Sequence, residues 1–390
     1  MHSVPTMESL SGFNKNLGQL KVAIIHDELL EYGGSERVLE ELLNIFPSAD
    51  FYTLYFNKRD PTVYSTFNKA HPKTSFLQHI PGLYKLRQYF SVVKLVSWLY
   101  FYLLNLSKYD LVITSSHSFN SKIVRKARDA YHLCYLYSPP KYLYKETNEI
   151  AWIKRFPFNF LFFPLFALLR FTDKKASGHP DVIVAISQEV KKRVASYYGR
   201  DAIVINPPVR LPKKIKRRKG KGNYYLFLSR LVRQKGIELA VIAATKYRLP
   251  LVVVGDGHLN DRLEKMAGQT VTFLGRVEDS EMPRVYSKAK ALIYCAIDED
   301  FGLVPVEAMA YGVPVVTYKS GGVKETVIDG KTGVLFSDYS EKGLYKAIKR
   351  LEKLFIDPGM CSRQANKFSK ERFRKGILQL VESGLHEKFK

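Results

Sequence analysis

A chain of 390 residues is too long for one ordinary core and too short for three, so two domains of about 190 residues each are expected. Hydrophobic residues make up 46% and charged residues 25%, which excludes a disordered or fibrous protein and a small module stapled by disulfides or metal. Lys and Arg number 61 against 37 Asp and Glu, a net charge of +24 that calls for an anionic partner: nucleic acid, anionic lipid or a phosphorylated substrate.

The three cysteines, Cys134, Cys295 and Cys361, form no CxxC and no Cys/His cluster. Neither a disulfide framework nor a structural zinc site is expected, and a reducing, cytoplasmic compartment fits best. Residues 1–20 lack the basic start and apolar middle of a secretory signal. Two apolar runs, 95–104 and 156–169, fall short of the roughly 20 residues that a bilayer core requires, and Pro157 and Pro164 interrupt the second. Lys85, Arg87, Lys94, Lys154, Arg155 and Arg170 flank them. Each run therefore reads either as an interfacial segment beside anionic headgroups or as a core helix with basic, exposed ends.

From residue 21 onward, short β-rich apolar runs alternate with helical stretches, the pattern of parallel α/β sheets. A strand is predicted at 21–26, a tight loop at Gly33 and Gly34, and a helix at 36–46 with Val38, Leu39, Leu42, Leu43 and Phe46 on one face and Ser35 as N-cap. Further strands are predicted at 111–114, 132–137, 182–186 and 202–206, and a helix bearing Val190 and Val194 follows Ser187. Pro207 and Pro208 then stop regular structure. The basic run RLPKKIKRRKGK at 210–221 cannot pack and reads as a linker. A second set of strands is predicted at 224–228, 251–254, 271–274, 291–295 and 313–317. A polar helical stretch at 362–385, with Phe368, Phe373, Ile377 and Leu380 as its apolar members, closes the chain. The expected domains are 1–210 and 211–361, with 362–390 a C-terminal helix crossing back to the first. The expected fold class is α/β: two Rossmann-like, doubly wound parallel-sheet domains facing a central cleft, with ligands at the carboxyl ends of the strands.

Chemistry concentrates in the segment DEDFGLVPVEAMAYG at 298–312. Pro305 suits a first helical turn and Gly312 a stop, so a short helix is predicted at 305–311 with 301–304 as the loop entering it. The free N–H groups at such a start suit a phosphate or sugar hydroxyls. Glu299 and Glu307 place two carboxylates at the same end of the sheet, one suited to a sugar and the other to a ribose. Their spacing alone also fits an acidic loop followed by a solvated helix face. Other motifs fail: Asn260 stands where a dinucleotide fingerprint begun by Gly255 and Gly257 needs glycine, and Glu325 stands where a P-loop ending in Lys331 and Thr332 needs one. The Asp298-x-Asp300 pair reads as accidental.

Glu299, the Phe-Gly that follows it, Glu307 and the tail PVEAMAYGVPVV resemble the E-x7-E motif of the family 4 retaining glycosyltransferases of GT-B fold. Gly33, Gly34 and Glu36 resemble that family's N-terminal glycine loop, and SRLVRQKG at 229–236 its phosphate-gripping segment. VVVGDG at 252–257 is similar to its central strand and turn, and FLGRV at 273–277 to its base-binding strand. Residues 132–144 and 185–209 are closest to the mannosyltransferase branch of O-antigen and related surface-polysaccharide synthesis.

The resemblance implies a retaining, metal-independent hexosyltransferase without a cofactor. It implies transfer of mannose from GDP-mannose to a hydroxyl of a lipid-linked or oligosaccharide acceptor, in peripheral contact with the anionic cytoplasmic face of a membrane and without nucleic acid. Arg230 and Lys235 would bind the donor diphosphate, Glu307 the ribose, and Val277 the base through its backbone. Glu299 with the N–H groups of Phe301, Gly302 and Leu303 would hold the transferred sugar, and His117 would lie near it. Gly33 and Gly34 would let the backbone approach a phosphate or the acceptor. Tyr137, Lys141 and Tyr142 would meet the acceptor. Relatives commonly read Cys-His-Thr-Pro where this chain has Tyr137, Ser138 and Pro139, so a hydroxyl donor replaces a base. Lys141 and Tyr142 stand in place of an Arg-Tyr pair, which forgoes bidentate phosphate geometry. Two other readings stand beside this one: a basic nucleic-acid binder using the linker run, which lacks interleaved aromatics, and a nucleotide-sugar epimerase of the same fold.

Overall fold

A computed structural model of the protein describes residues 19–80, 90–117, 121–144, 158–212 and 222–388, the side chains of 90–96 and 158–163 excepted. It divides into two compact units: Met1–Asn206 with Phe373–Lys390, and Pro207–Arg372.

The first unit is built on a seven-stranded, wholly parallel sheet of β1 (Val22–His26), β2 (Asp50–Thr53), β3 (Lys73–Thr74), β4 (Leu111–Ser116), β5 (Tyr131–Leu136), β6 (Val182–Ala185) and β7 (Ile203–Val204), in the order β3-β2-β1-β4-β5-β6-β7. Every residue of β1, β4 and β5 is buried, as central strands covered on both faces must be. The labelled helices are α1 (Gly34–Ile45), α2 (Phe90–Leu103), α3 (Lys141–Tyr144), α4 (Phe158–Ala176) and α5 (Gln188–Tyr198). The helix predicted after Ser187 is α5, and Ser187 caps it by accepting the Val190 N–H. At α1 the prediction is corrected. The cap is Gly33 and Ser35 lies in the first turn, because the Glu36 carboxylate reaches back to accept the Gly33 N–H at 2.9 Å.

The second unit carries a six-stranded parallel sheet of β8 (Tyr224–Leu228), β9 (Leu251–Val254), β10 (Val271–Phe273), β11 (Ala289–Tyr294), β12 (Val315–Tyr318) and β13 (Gly333–Phe336), in the order β10-β9-β8-β11-β12-β13. Its labelled helices are α6 (Ile237–Lys246), α7 (Leu303–Ala310), α8 (Glu341–Lys353) and α9 (Pro358–Ala365). Phe227, Ile237, Val241, Leu251, Val253, Ile293 and Ile348 belong to one core cluster of this unit. Three strands had no distinct sequence signal: β2 opens with Asp50, β3 has two residues, and β13 opens with Gly333. The predicted helix at 305–311 begins two residues earlier, since Gly302 takes φ 91° and turns the chain into Leu303. The closing stretch is not one helix: a turn at Asn366–Phe368 and extended Ser369 separate α9 from α10 (Lys370–Lys388). Phe368 is buried in the second unit and Phe373 and Ile377 in the first, a division that a single amphipathic face does not serve.

Residues 213–221 of the basic run and the flanking Lys85, Arg87, Lys154 and Arg155 lie outside the described residues. No helix among the described residues is long and apolar enough to cross a membrane. In both sheets the chain order reverses between two neighbouring strands, β1 and β4 in the first and β8 and β11 in the second. In open α/β sheets this switch point leaves a crevice beyond the strands' carboxyl ends. The residues following these four strands are therefore the place to look for chemistry.

Candidate functional site

In the second unit the chain leaving β8 turns sharply. The Leu231 N–H donates to Asp256 O at 2.9 Å, Arg233–Lys235 forms one 3-10 turn, and Gly236 takes φ 69° before α6. A Cβ on Gly236 would sit 2.2 Å from Cys295 O, so glycine is what lets this turn lie against the end of β11. That approach carries Lys235 to Glu299: Nζ donates to Oε2 at 2.7 Å, with each side chain about one-fifth exposed. Arg230, on the same turn, is exposed.

The loop bearing Glu299 is clamped from β12. Ser320 Oγ accepts the Asp298 N–H at 3.0 Å, the Gly322 N–H donates to Glu299 O at 2.7 Å, and a Cβ on Gly321 would lie 2.1 Å from the same oxygen. Asp298 itself adopts φ 61°. Beneath the loop the Tyr294 hydroxyl is held well above its ordinary range by burial first, then by the charge and hydrogen bond of Glu299, with Asp300 and Glu307 adding to it. Glu299 and Glu307 thus share one buried phenol as a neighbour. Phe301 is buried edge-on against Phe368, and α7 starts just beyond it, where the N–H groups of a first turn have no partner within the helix. Val277 is half-buried in the loop after β10, which ends one residue short of its prediction. Cations, the N–H groups of a helix start and partly exposed carboxylates on these turns can bind an anion and hydroxyls together. Ser320, Gly321 and Gly322 were missed in the sequence, although Ser-Gly-Gly directly after a strand is a turn signal.

In the first unit the switch point gathers a denser network. Asp27, fully buried, accepts the N–H groups of His117 at 2.9 Å and Ser121 at 2.8 Å. His117 Nδ1 lies 3.9 Å from Asp27 and its Nε2 4.0 Å from Glu28 Oε1. His26 Nδ1 is 3.0 Å from Ser115 Oγ, and Nε2 is 3.5 Å from Glu36 Oε1. Burial pushes the Glu36 carboxyl up, but the hydrogen bond and charge of His26, followed by the charge of His117, outweigh it and hold it below its ordinary value. Gly33 and Gly34 open α1, and the Gly33 N–H is occupied by Glu36.

Tyr137, expected to meet the acceptor, is tied into this network. Its hydroxyl donates to Ser35 O at 2.8 Å and stands 2.9 Å from Ser115 Oγ, so it braces the network. Burial keeps it protonated, far above the ordinary tyrosine range. Lys141 and Tyr142 lie half-buried on α3, and Tyr142 is raised by burial and then by Asp173, Glu28 and Asp27. His26, Asp27 and Glu28 were missed in the sequence; their position at the end of a buried strand, ahead of a glycine loop, was the available signal.

Residues 210–368 match the family described as Glycosyl transferases group 1. An uncharacterized glycosyltransferase of Methanocaldococcus jannaschii is 29% identical over 221 residues, 55% of this chain and 62% of that protein. Glycogen synthase of Thermus thermophilus is 35% identical over 136 residues, 33% of this chain and 31% of its own length. The chain thus spans about one-third to two-thirds of these curated relatives. Among solved structures, a lipopolysaccharide outer core galactosyltransferase in its apo form superposes with a TM-score of 0.66 at 15% identity, over 93% of this chain and 99% of that one. An Anabaena protein, HepE, in complex with UDP gives 0.64 at 17% identity, over 93% and 100%. The two parallel-sheet domains thus have the GT-B fold expected from the sequence.

Proposed function

We propose that this chain, whose residues 210–368 carry a group 1 glycosyl transferase sequence, transfers a hexose from a nucleotide sugar to a hydroxyl acceptor with retention at the anomeric carbon. The observation that carries this reading is the Lys235–Glu299 pair at the mouth of α7, with Arg230 on the same turn. Arg230, Lys235 and the first-turn N–H groups meet the charge of the donor diphosphate without a metal there. Glu299 accepts hydroxyls of the transferred sugar and Glu307 those of the ribose, while Val277 meets the base and His117 the sugar. The acceptor belongs to the first unit, beside Lys141 and Tyr142. In the reaction the bond from the anomeric carbon to the diphosphate breaks and a bond to the acceptor oxygen forms on the same face. The hydroxyl proton passes to the departing phosphate oxygen, whose charge the cations and amides stabilise.

GDP-mannose is the donor by the sequence resemblance; a UDP-sugar is the second reading, favoured by the UDP bound to the Anabaena neighbour. Thermal shift with GDP and UDP separates them, since a ligand at 100 times its Kd adds about 2.7 kcal/mol of stability. Stabilisation by neither nucleotide, or an inverted product, overturns the proposal.

We also propose a lipid-linked acceptor at an anionic membrane surface. Leu99 and Leu103 on α2 and Leu168 and Phe171 on α4 are exposed, and Arg170, Lys174 and Lys175 are exposed beside the latter pair. Cosedimentation with vesicles of anionic phospholipid is expected, and its absence removes this part.

A further inference from the structure

Lys122 and Asp173 form an ion pair in the first unit with both side chains wholly buried. Asp173 lies on α4, the helix that exposes Leu168 and Phe171 together with Arg170, Lys174 and Lys175. Lys122 lies in the 3-10 turn Ser121–Ile123 that follows β4. We propose that Asp173 is a positioning residue: its carboxylate joins the membrane-facing helix to both the His117 turn and α3, so that an anionic membrane bound at α4 orders the acceptor side, a coupling that rests on the membrane reading given above.

A buried charge pair is a poor source of stability. Taking two charges out of water costs about as much as their attraction returns, and well-packed apolar residues of similar volume often serve as well or better. Lysine in particular is almost never fully buried unless paired. What such a pair can supply is a fixed position, because neither partner can leave the other without stranding a charge in the interior.

Each oxygen of the carboxylate serves one part of the acceptor side. Oδ1 accepts from the Lys122 ammonium, and Lys122 directly follows Ser121, whose N–H donates to Asp27 Oδ1 at 2.8 Å. The His117 N–H donates to the other oxygen of Asp27 at 2.9 Å. Asp27 thus holds the His117 turn from the sheet, and Asp173 holds it from α4. Oδ2 of Asp173 accepts the Tyr144 hydroxyl at 2.8 Å, and Tyr144 ends α3, the short helix that carries Lys141 and Tyr142. That hydroxyl also stands 3.4 Å from Arg170 O, one turn earlier on α4. The Tyr144 ring stacks on Tyr197 of α5 at 4.6 Å, and Lys122 Nζ lies 5.4 Å from the centre of the Tyr198 ring, so α5 walls the junction. A displacement of α4 at Asp173 therefore takes the anchor from α3 and leaves a buried ammonium beneath the His117 turn.

The test is hydrogen exchange of the full chain with and without vesicles of equal parts phosphatidylglycerol and phosphatidylcholine, read at residues 121–124 and 141–144. In the wild type the vesicles should slow exchange in both segments by at least about 5-fold, the low end of coupling between linked sites. Lys122→Met combined with Asp173→Leu replaces the pair by apolar side chains and strands no charge, so it keeps the fold. That variant should still cosediment with the vesicles and lose the slowing in both segments. Tyr144→Phe keeps the ion pair, and should lose the slowing at 141–144 while retaining it at 121–124. Slowing in the double variant equal to that of the wild type, or a wild type that cosediments without any slowing, overturns the coupling and makes the junction plain packing. A wild type that fails to cosediment overturns the membrane reading, and the coupling with it. Thermal shift with GDP and UDP reads the donor site of the second unit independently of both.

Discussion

The first unit buries His26, Asp27, Glu28, Glu36, Glu41, Lys122, His132, Asp173 and Arg193, whereas the buried polar side chains described in the second are Thr317, Thr326, Thr332, Ser362, Gln364 and Ser369. Charge inside the first unit is held by side chains that hydrogen-bond one another, a network whose parts depend on their neighbours. The second unit keeps its charges at the surface of backbone turns, where Lys235 has Glu299 as a partner and a ligand can replace it. The first site is therefore vulnerable to acid and to the loss of one hydroxyl, the second to the loss of one cation.

Four experiments act on that contrast. The largest effect is expected in the second unit, where Lys235→Ala should lower kcat/KM by roughly 10²- to 10³-fold with an unchanged unfolding midpoint. Steady-state kinetics beside urea unfolding check it, and full activity would remove Lys235 from its assigned part.

Next comes acid. Burial lowers the His132 imidazole from 6.5 to about 3, although the charge of Asp181 works against this. The unfolded chain takes up the proton below pH 6.5 and the folded one only near 3. The stability is therefore full above 6.5 and falls with pH between those values, by at most about 1.4 kcal/mol per unit. The lowered carboxyls of Glu36 and Asp181 act in the same direction, lower still in pH. Hydrogen exchange at successively lower pH should show the first unit opening before the second, and His132→Gln should flatten the slope between pH 6.5 and 4. Simultaneous opening of both units would erase the contrast.

A smaller loss is expected from Tyr137→Phe, which strips Ser35 O and Ser115 Oγ of a partner and should cost about 1–3 kcal/mol in urea unfolding. Nucleotide-induced thermal shifts should stay as they were. The smallest effect concerns Asp50, held at about 2 by Lys73 first and then Tyr109. Its stabilisation is present above 3.8 and lost as pH falls to about 2. Because the pair is largely exposed, Asp50→Asn should cost less than about 1 kcal/mol at neutral pH, and still less in high salt.

Legibility was uneven, for physical reasons. The strands at 224–228 and 251–254 stand where the apolar runs put them, since buried parallel strands must be continuously apolar. Edge strands such as Lys73–Thr74 bury little and leave no such mark. The start of α7 was misplaced because Pro305 is tolerated anywhere in the first turn, while the residue that turns the chain is Gly302 with its positive φ. In the candidate site, Lys235 and Glu299 were singled out by the family resemblance, not by their spacing, which also fits surface charges and an acidic loop. His26, Asp27 and Glu28 were not: a buried strand ending ahead of a glycine loop marks such a place, but which strand ends meet at the switch point depends on strand order, which no local signal gives.

By itself the sequence determined the two parallel α/β sheets, their punctuation by Gly and Pro, and the basic excess, since all three follow from periodicity and composition along the chain. Only the tertiary structure decided that His26 meets Ser115, 89 residues away, that Tyr137 spends its proton on Ser35, and that Lys235 rests against Glu299. The reason is strand order: neighbours in a parallel sheet are made by crossovers, so which strand ends share a crevice is settled by how the sheet is wound.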